Sequence, residues 1–334
     1  MYNYELSTEK SIGVGLIGTG YAAKHRAQAF KQDERTNLIA IAGHSPESIA
    51  GLAKSYETQV SNSWEELVER EDVDLIVIST INSDHGKMAR AALNNNKHLV
   101  VEYPLSLNLK EAEELIALAK DKKRLLHVEH IELLSSWHQV LKENLPMLGQ
   151  LFYVRYSTMK AEHPARRKWT YNHQLFGFPL MGALSRLHRL IDVFGQVVTV
   201  NCHQRYWETE EEYYQGCLCT TQLCFADGLL AQVIYGKGET IWQSERKLEV
   251  SAENGGLILD GDKGIFIGSE DTRSIEIANR QGLFARDTKI VLDHIFHGSP
   301  LYVTAEQSLY TLNIADAARR AAETGLTVFL GQDY

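Results

Sequence analysis

The chain has 334 residues, 44% hydrophobic and 23% charged, enough for about two domains with ample core. Its net charge of −9 argues against non-specific nucleic-acid binding. No apolar run is long enough to span a membrane, and the N-terminal MYNYELSTEKS is polar with no signal-peptide core, so a cytoplasmic protein is expected.

The stretch IGVGLIGTGYAAKHRAQAF, from Ile12 to Phe30, anchors the first half of the chain. Ile12, Val14, Leu16 and Ile17 read as a strand buried on both faces. The chain then turns through Gly18-Thr19-Gly20-Tyr21-Ala22-Ala23 into a helix, with Gly-x-Gly-x-x-Ala spacing, a variant of the dinucleotide fingerprint. Gly18 permits the tight turn, Gly20 lets a pyrophosphate approach the backbone, and Ala23 allows close helix–strand packing. The free amides and dipole at the helix start suit an anion.

A second strand, Leu38–Gly43, ends at Gly43-His44-Ser45-Pro46. In such a fold this end meets the adenosine ribose, where a carboxylate favours NAD. No carboxylate occurs before Glu47. Ser45 can donate to a 2′-phosphate and His44 can add positive charge, so NADPH is expected, with NADH as the alternative. The same residues also read as a plain loop and helix cap. Helices over Pro46–Tyr56 and Trp64–Glu69 precede a strand at Val73–Thr80. Its carboxyl end, Thr80-Ile81-Asn82-Ser83-Asp84-His85, should face the cofactor. Helix Lys87–Asn94, strand Lys97–Glu102, the pair Tyr103-Pro104, helix Leu109–Lys120 and strand Leu125–Val128 complete the alternation. It predicts a parallel sheet in a Rossmann-type domain over residues 1–128.

From Gly149 the period changes. Strands are predicted over 151–159, 197–207, 217–225, 229–235, 247–252, 256–259 and 264–267. Asp227-Gly228, Asn254-Gly255-Gly256 and Asp262-Lys263-Gly264 are turn signals between them. Helices are predicted over Leu180–Phe194, Thr288–Phe296 and Ala305–Glu323. Residues 129–334 are thus expected to form an α+β domain with one large, mostly antiparallel open sheet, one face covered by helices and the other free for a ligand or partner. Cys202, Cys217, Cys219 and Cys224 all fall in this region without a Cys-x-x-Cys pair and read as reduced core thiols.

The segments together resemble the Gfo/Idh/MocA oxidoreductase family over nearly the whole chain. The resemblance rests on Gly18-x-Gly20-x-x-Ala23, Thr80-Ile81-Asn82-Ser83-Asp84-His85 and Lys97–Pro104. Members usually carry Glu-Lys-Pro where this chain has Glu102-Tyr103-Pro104. The Asp and His that the sugar dehydrogenases place four residues apart on one helix correspond to Ser185 and Arg189. Glu102-Tyr103-Pro104 instead resembles the branch of the family that reduces a linear tetrapyrrole. Residues 125–134, 167–173, Phe176-Gly177-Phe178-Pro179 and Ala183-Leu184-Ser185-Arg186 look like its cyanobacterial form. The resemblance implies NADPH-dependent reduction of biliverdin to bilirubin, with the bilin between the nicotinamide and the large sheet.

Such a reaction delivers a hydride to the central methine carbon and needs a proton for a neighbouring pyrrole nitrogen. Tyr103 offers a stacking ring and a donor hydroxyl, and its ordinary pKa near ~10 makes it a poor base at neutral pH. Arg186 and Arg189, three apart on one helix, should share a face and meet a propionate or the ring nitrogens. The expectation is that Arg186 polarises a bound water or the bilin, with Tyr103 and Glu102 as the other catalytic residues. Glu102, Glu129, His130 and Glu132 gather after strand ends; Glu129, His130 and Trp169 are expected to contact substrate, and Glu102 and Tyr103 to contact the cofactor as well. His127-Val128-Glu129-His130 lacks zinc-motif spacing, and no metal is expected. Arg166-Arg167-Lys168 reads either as a propionate docking patch or, as a charge run on a loop more often is, as solvated charge; Arg280 and Arg286 carry the same two readings. Two other readings stay open: a sugar or cyclitol dehydrogenase, and a nucleotide-binding sensor without turnover. The chain is expected to be a monomer or a homodimer.

Overall fold

A computed structural model describes residues 11–210, 212–278 and 281–331, with the side chains of 208–210 left aside. Arg280 lies outside the described residues. The strands are β1 (Ile12–Ile17), β2 (Thr36–Ala42), β3 (Gln59–Val60), β4 (Leu75–Ile78), β5 (His98–Val101), β6 (Leu126–Val128), β7 (Leu151–Ala161), β8 (Val197–Glu210), β9 (Tyr213–Phe225), β10 (Leu230–Gly238), β11 (Glu245–Ala252), β12 (Gly255–Asp260), β13 (Lys263–Gly268), β14 (Thr272–Glu276) and β15 (Val328–Phe329). The helices are α1 (Tyr21–Gln32), α2 (Pro46–Tyr56), α3 (Trp64–Glu69), α4 (His85–Asn94), α5 (Leu109–Asp121), α6 (Ser136–Asn144), α7 (His173–Phe176), α8 (Leu184–Phe194), α9 (Leu283–His297) and α10 (Ala305–Thr324).

The chain divides into two compact units, residues 1–131 with 282–309 and residues 132–281 with 310–334. The sequence pattern predicts a single crossing after 128. The observed division differs in returning 282–309 to the first unit, because α9 lays Val291, Leu292 and Ile295 into that unit's core.

In the first unit six parallel strands run in the order β3-β2-β1-β4-β5-β6. β1, β4 and β5 are buried along their whole length, which is why β1 and β4 read as unbroken apolar runs. The helices start where short polar side chains can accept orphan amides: Ser45 caps α2, Ser63 caps α3 and Asn108 caps α5. The strand order reverses between β1 and β4, the switch point beyond whose carboxyl ends ligands bind in doubly wound sheets.

In the second unit nine strands run in the order β14-β13-β12-β11-β7-β10-β9-β8-β15. All neighbours are antiparallel except β7 and β10, which pair in parallel. Alternation along β11 buries Leu248, Val250 and Ala252 and turns Lys247, Glu249 and Ser251 outward. On that outward face Arg155 pairs with Glu249 at 2.9 Å, and Lys247 pairs with the same carboxylate at 2.7 Å. The four cysteines are free thiols. α8 begins at Leu184, later than the predicted Leu180, since residues 178–183 form successive turns closed by Phe178 and Leu180 carbonyls.

Candidate active site

The β1–α1 turn carries out what its glycines predict. Gly18 sits at φ +127°, and a β-carbon there would lie 2.0 Å from the Ser79 carbonyl oxygen. Its N–H donates to the Ala42 carbonyl, tying the turn to β2. Gly20 is the N-cap of α1 with no side-chain cap, and a β-carbon on it would meet nothing within 4 Å. An open approach to uncapped helix amides is what a pyrophosphate needs, so the residues present fit a dinucleotide. Tyr21 is exposed, Ala22 half-buried and Ala23 packed in the core; Thr19 lies half-buried between the glycines.

At the end of β2, the Ser45 hydroxyl accepts from the Ser48 N–H at 3.3 Å, which leaves its own proton for a ligand. His44 Nε2 lies 3.1 Å from the Asp84 carboxylate, which Lys87 also meets at 2.9 Å. After β4, Thr80 and Ile81 are half-buried and Asn82 is buried. His85, expected at the cofactor, is 1% exposed instead. Its Nδ1 lies 2.7 Å from the Pro104 carbonyl and its Nε2 3.3 Å from the Thr80 carbonyl, so it ties the loop after β4 to the loop after β5. Burial pushes its pKa down.

The sheet ladder brings the next candidates into line. The Glu102 N–H donates to Ile78 at the end of β4, and the Glu129 N–H donates to Val101 at the end of β5. Glu102 keeps 14% of its side chain exposed and accepts from Arg26 Nε at 2.9 Å. The Tyr103 ring stacks on the His130 imidazole, centroids 5.5 Å apart and planes 7° apart. Glu129 and His130, expected to touch substrate, are both buried. Glu129 accepts from the Ile131 N–H at 2.8 Å, and His130 Nε2 lies 2.9 Å from the Ser308 hydroxyl. Burial, reinforced by the Glu102 carboxylate, pushes the Glu129 carboxyl well above the usual carboxylate range. His130 therefore backs the Tyr103 ring.

In the second unit, α8 divides its two arginines. Arg186 is half-buried, donates to the Ser185 hydroxyl at 2.9 Å and lies 6.0 Å from the Tyr235 ring centroid. Arg189 turns inward, against the expectation of a shared face: it is fully buried, donates to the Glu132 carboxylate at 2.7 Å and packs over Trp137 and Tyr156. Positions three apart on a helix differ by about 60° around the axis, enough to put one in the core. Glu132 also accepts from Arg246 at 2.7 Å, so it bridges two guanidiniums. Burial raises the Tyr156 phenol, but Arg189, Arg186 and Arg246 outweigh it and bring its pKa down. His188 bonds to Thr311 and is structural. Trp169 packs at 5.9 Å from Phe176. Lys168 pairs with Glu162 at 2.7 Å, and Arg167 lies 4.5 Å over the Tyr213 ring. Among the described residues, no group of three or more His, Cys, Asp or Glu is placed to hold a metal.

Sequence reasoning missed Arg26, Asp287, Tyr302 and Lys237. Arg26 and Asp287 carried a signal: each occupies a position on the apolar stripe of its helix, beside Ala23, Ala27 and Phe30 in α1 and Val291 and Leu292 in α9.

A model of the oxidoreductase family's NAD-binding Rossmann fold matches residues 12–130, and a model of its C-terminal alpha/beta domain matches residues 142–330. The chain belongs to the Gfo/Idh/MocA oxidoreductase family. Within it, the chain is 44% identical to a biliverdin reductase from Synechocystis sp. whose crystal structure holds biliverdin and NADP+. That match covers 93% of this chain and 99% of the other, with a TM-score of 0.92. Biliverdin reductase A of Mus musculus is 30% identical over 59% of this chain and 63% of its own length. Biliverdin reductase A of Homo sapiens is 29% identical over 63% of this chain and 67% of its own.

Proposed function

We infer that this chain is a biliverdin reductase, using NADPH to reduce biliverdin to bilirubin. The observation that carries the reading is its 44% identity, along nearly the full length of both chains, to the Synechocystis enzyme seen with that substrate and cofactor. The departure from Glu-Lys-Pro agrees with it. Alcohol oxidation needs a base that works near neutrality, and Tyr103 stands where the family's lysine would. Bilin reduction asks instead for a stacking surface and a proton.

Bound NADPH supplies the hydride for the central methine carbon. The glycine turn at Gly18 and Gly20 would hold its pyrophosphate, and Ser45 with His44 the 2′-phosphate. Tyr103, held flat by His130, offers its ring to a planar ligand. Arg186 polarises a bound water or the bilin itself, and the proton that the pyrrole nitrogen takes up comes from water, the hydroxide left being reprotonated by bulk solvent, so the guanidinium stays protonated. The unit of residues 1–131 with 282–309 would bind the nucleotide and that of 132–281 with 310–334 the substrate, in a cytoplasmic monomer or homodimer. Free thiols agree with a reducing compartment.

Mixing the protein with biliverdin and NADPH tests this: the blue-green solution should turn yellow as NADPH absorbance falls. Turnover with sugars or cyclitols alone would overturn the reading, and so would NADPH binding without any reaction.

A further inference from the structure

Arg26 is fully buried in the apolar stripe of α1, and removing a guanidinium from water costs several kcal/mol unless partners compensate. A leucine there would pack at no such cost. The partners all lie in one unit and lead to one place. Arg26 Nε donates to Glu102 at 2.9 Å, Nη1 donates to the Asp287 carboxylate, and the guanidinium lies 5.1 Å from the Phe284 ring centroid. Asp287 in turn accepts from the Tyr302 hydroxyl at 2.6 Å and meets His127 Nε2 at 2.8 Å. The Tyr302 oxygen accepts the His130 N–H at 3.0 Å, and the His130 ring stacks on Tyr103. One arm of the network therefore ends on Glu102 and the other on Tyr103, which are consecutive residues at the carboxyl end of β5.

We propose that Arg26 is a positioning residue, which fixes the Glu102 carboxylate directly and the Tyr103 ring through Asp287, Tyr302 and His130. This rests on the reading of Glu102 and Tyr103 as residues of the reductase site. Arg26 lies six residues beyond Gly20 on the helix that starts at the nucleotide turn. The network thus joins the nucleotide-binding helix to the loop that bears the reactive side chains.

A double-mutant cycle tests the proposal on the full-length protein, with Arg26→Met, Glu102→Gln, the double variant and Arg26→Lys. Two readouts are taken: kcat and KM for biliverdin, and the fluorescence of NADPH bound without substrate. Arg26→Met is expected to lower kcat about 100-fold with KM unchanged, the scale of a misplaced reactive group. The double variant should lose less than the product of the two single losses, because part of the effect of Arg26 runs through Glu102. Arg26→Lys should recover part of the loss, being cationic but unable to bond Glu102 and Asp287 with one fork. The bound-NADPH emission should change alike in Arg26→Met, Glu102→Gln and the double variant. Wild-type kcat in Arg26→Met, or losses that multiply, would overturn the proposal. If Arg26→Met does not fold, Arg26→Lys decides by the same two readouts. If the wild type leaves biliverdin unreduced while the emission cycle stays non-additive, the substrate reading fails and the positioning role stands.

Discussion

Charge at this site is decided residue by residue, by which side chains burial neutralises and which it pairs. Arg186 keeps partial exposure on α8 while Arg189 pairs its charge with Glu132. Arg186→Ala should therefore lower turnover by about 100-fold or more, the size of a lost acid-base contribution, while NADPH titration stays at wild-type affinity. Retained turnover would remove Arg186 from the mechanism. Lys237 shows the opposite case. Its ammonium lies 3.5 Å from the Phe176 ring centroid and bonds to the Thr170 carbonyl, and burial pushes its pKa down to about 7. The folded state thus binds this proton more weakly than the unfolded chain, whose lysine titrates near 10.5. Below pH 7 both states hold the proton and the full cost of burial is felt. From pH 7 to 10.5 folding is relieved of it, by at most about 1.4 kcal/mol per pH unit. Denaturant unfolding of wild type and Lys237→Met should show the wild type gaining on the variant as pH rises from 7 to 9; a constant difference would mean that the lysine is not so shifted.

Among the elements, the β1–α1 turn separates two uses of glycine. Gly18 is demanded by the backbone, since φ is +127° and a β-carbon would strike the Ser79 carbonyl. Gly20 is demanded only by what approaches it, since a β-carbon there meets open space. Gly18→Ala should cost about 1–3 kcal/mol of stability and weaken NADPH binding together. Gly20→Ala should leave the melting temperature unchanged and weaken NADPH alone. A drop in melting temperature for Gly20→Ala, with NADPH affinity kept, would reverse the two assignments. In α8 the buried hydrogen bonds of His188 to Thr311 and of Arg189 to Glu132 set the helix rotation, and with it the direction of Arg186.

Over the whole molecule, no described helix is long and apolar enough to cross a membrane. In the first unit a buried ion network of Arg26, Glu102, Asp287 and His127 lies beside the apolar packing. Asp287 is fully buried; burial alone would raise its pKa, but Arg26 and His127 outweigh that and hold the carboxyl well below its usual range. Its contribution is fully present above the unfolded value near 3.8 and is lost as pH falls through the lower folded value. Asp287→Asn, which takes one of its two carboxylate partners from a buried guanidinium, should cost about 3 kcal/mol at pH 7 by urea unfolding. The gap from wild type should narrow below pH 4. A variant as stable as wild type at pH 7 would show that the network contributes nothing net.

Local physics made much of the fold legible in the sequence. α2 and α3 begin and end where their caps and apolar spacing predict, and β1 and β4 betray themselves as unbroken apolar runs because parallel strands are buried on both faces. The turn at Gly18 and Gly20 was readable because glycine spacing between a strand and a helix declares the backbone it needs. Partnership across distance was not. Arg26 and Asp287 are 261 residues apart, and nothing in either segment names the other. The return of 282–309 to the first unit, the burial of Glu129, His130 and Arg189, and the parallel pairing of β7 with β10 all depend on packing between segments far apart in the chain. A periodic pattern shows which face of an element is apolar, but only the tertiary structure decides which buried charge meets which partner.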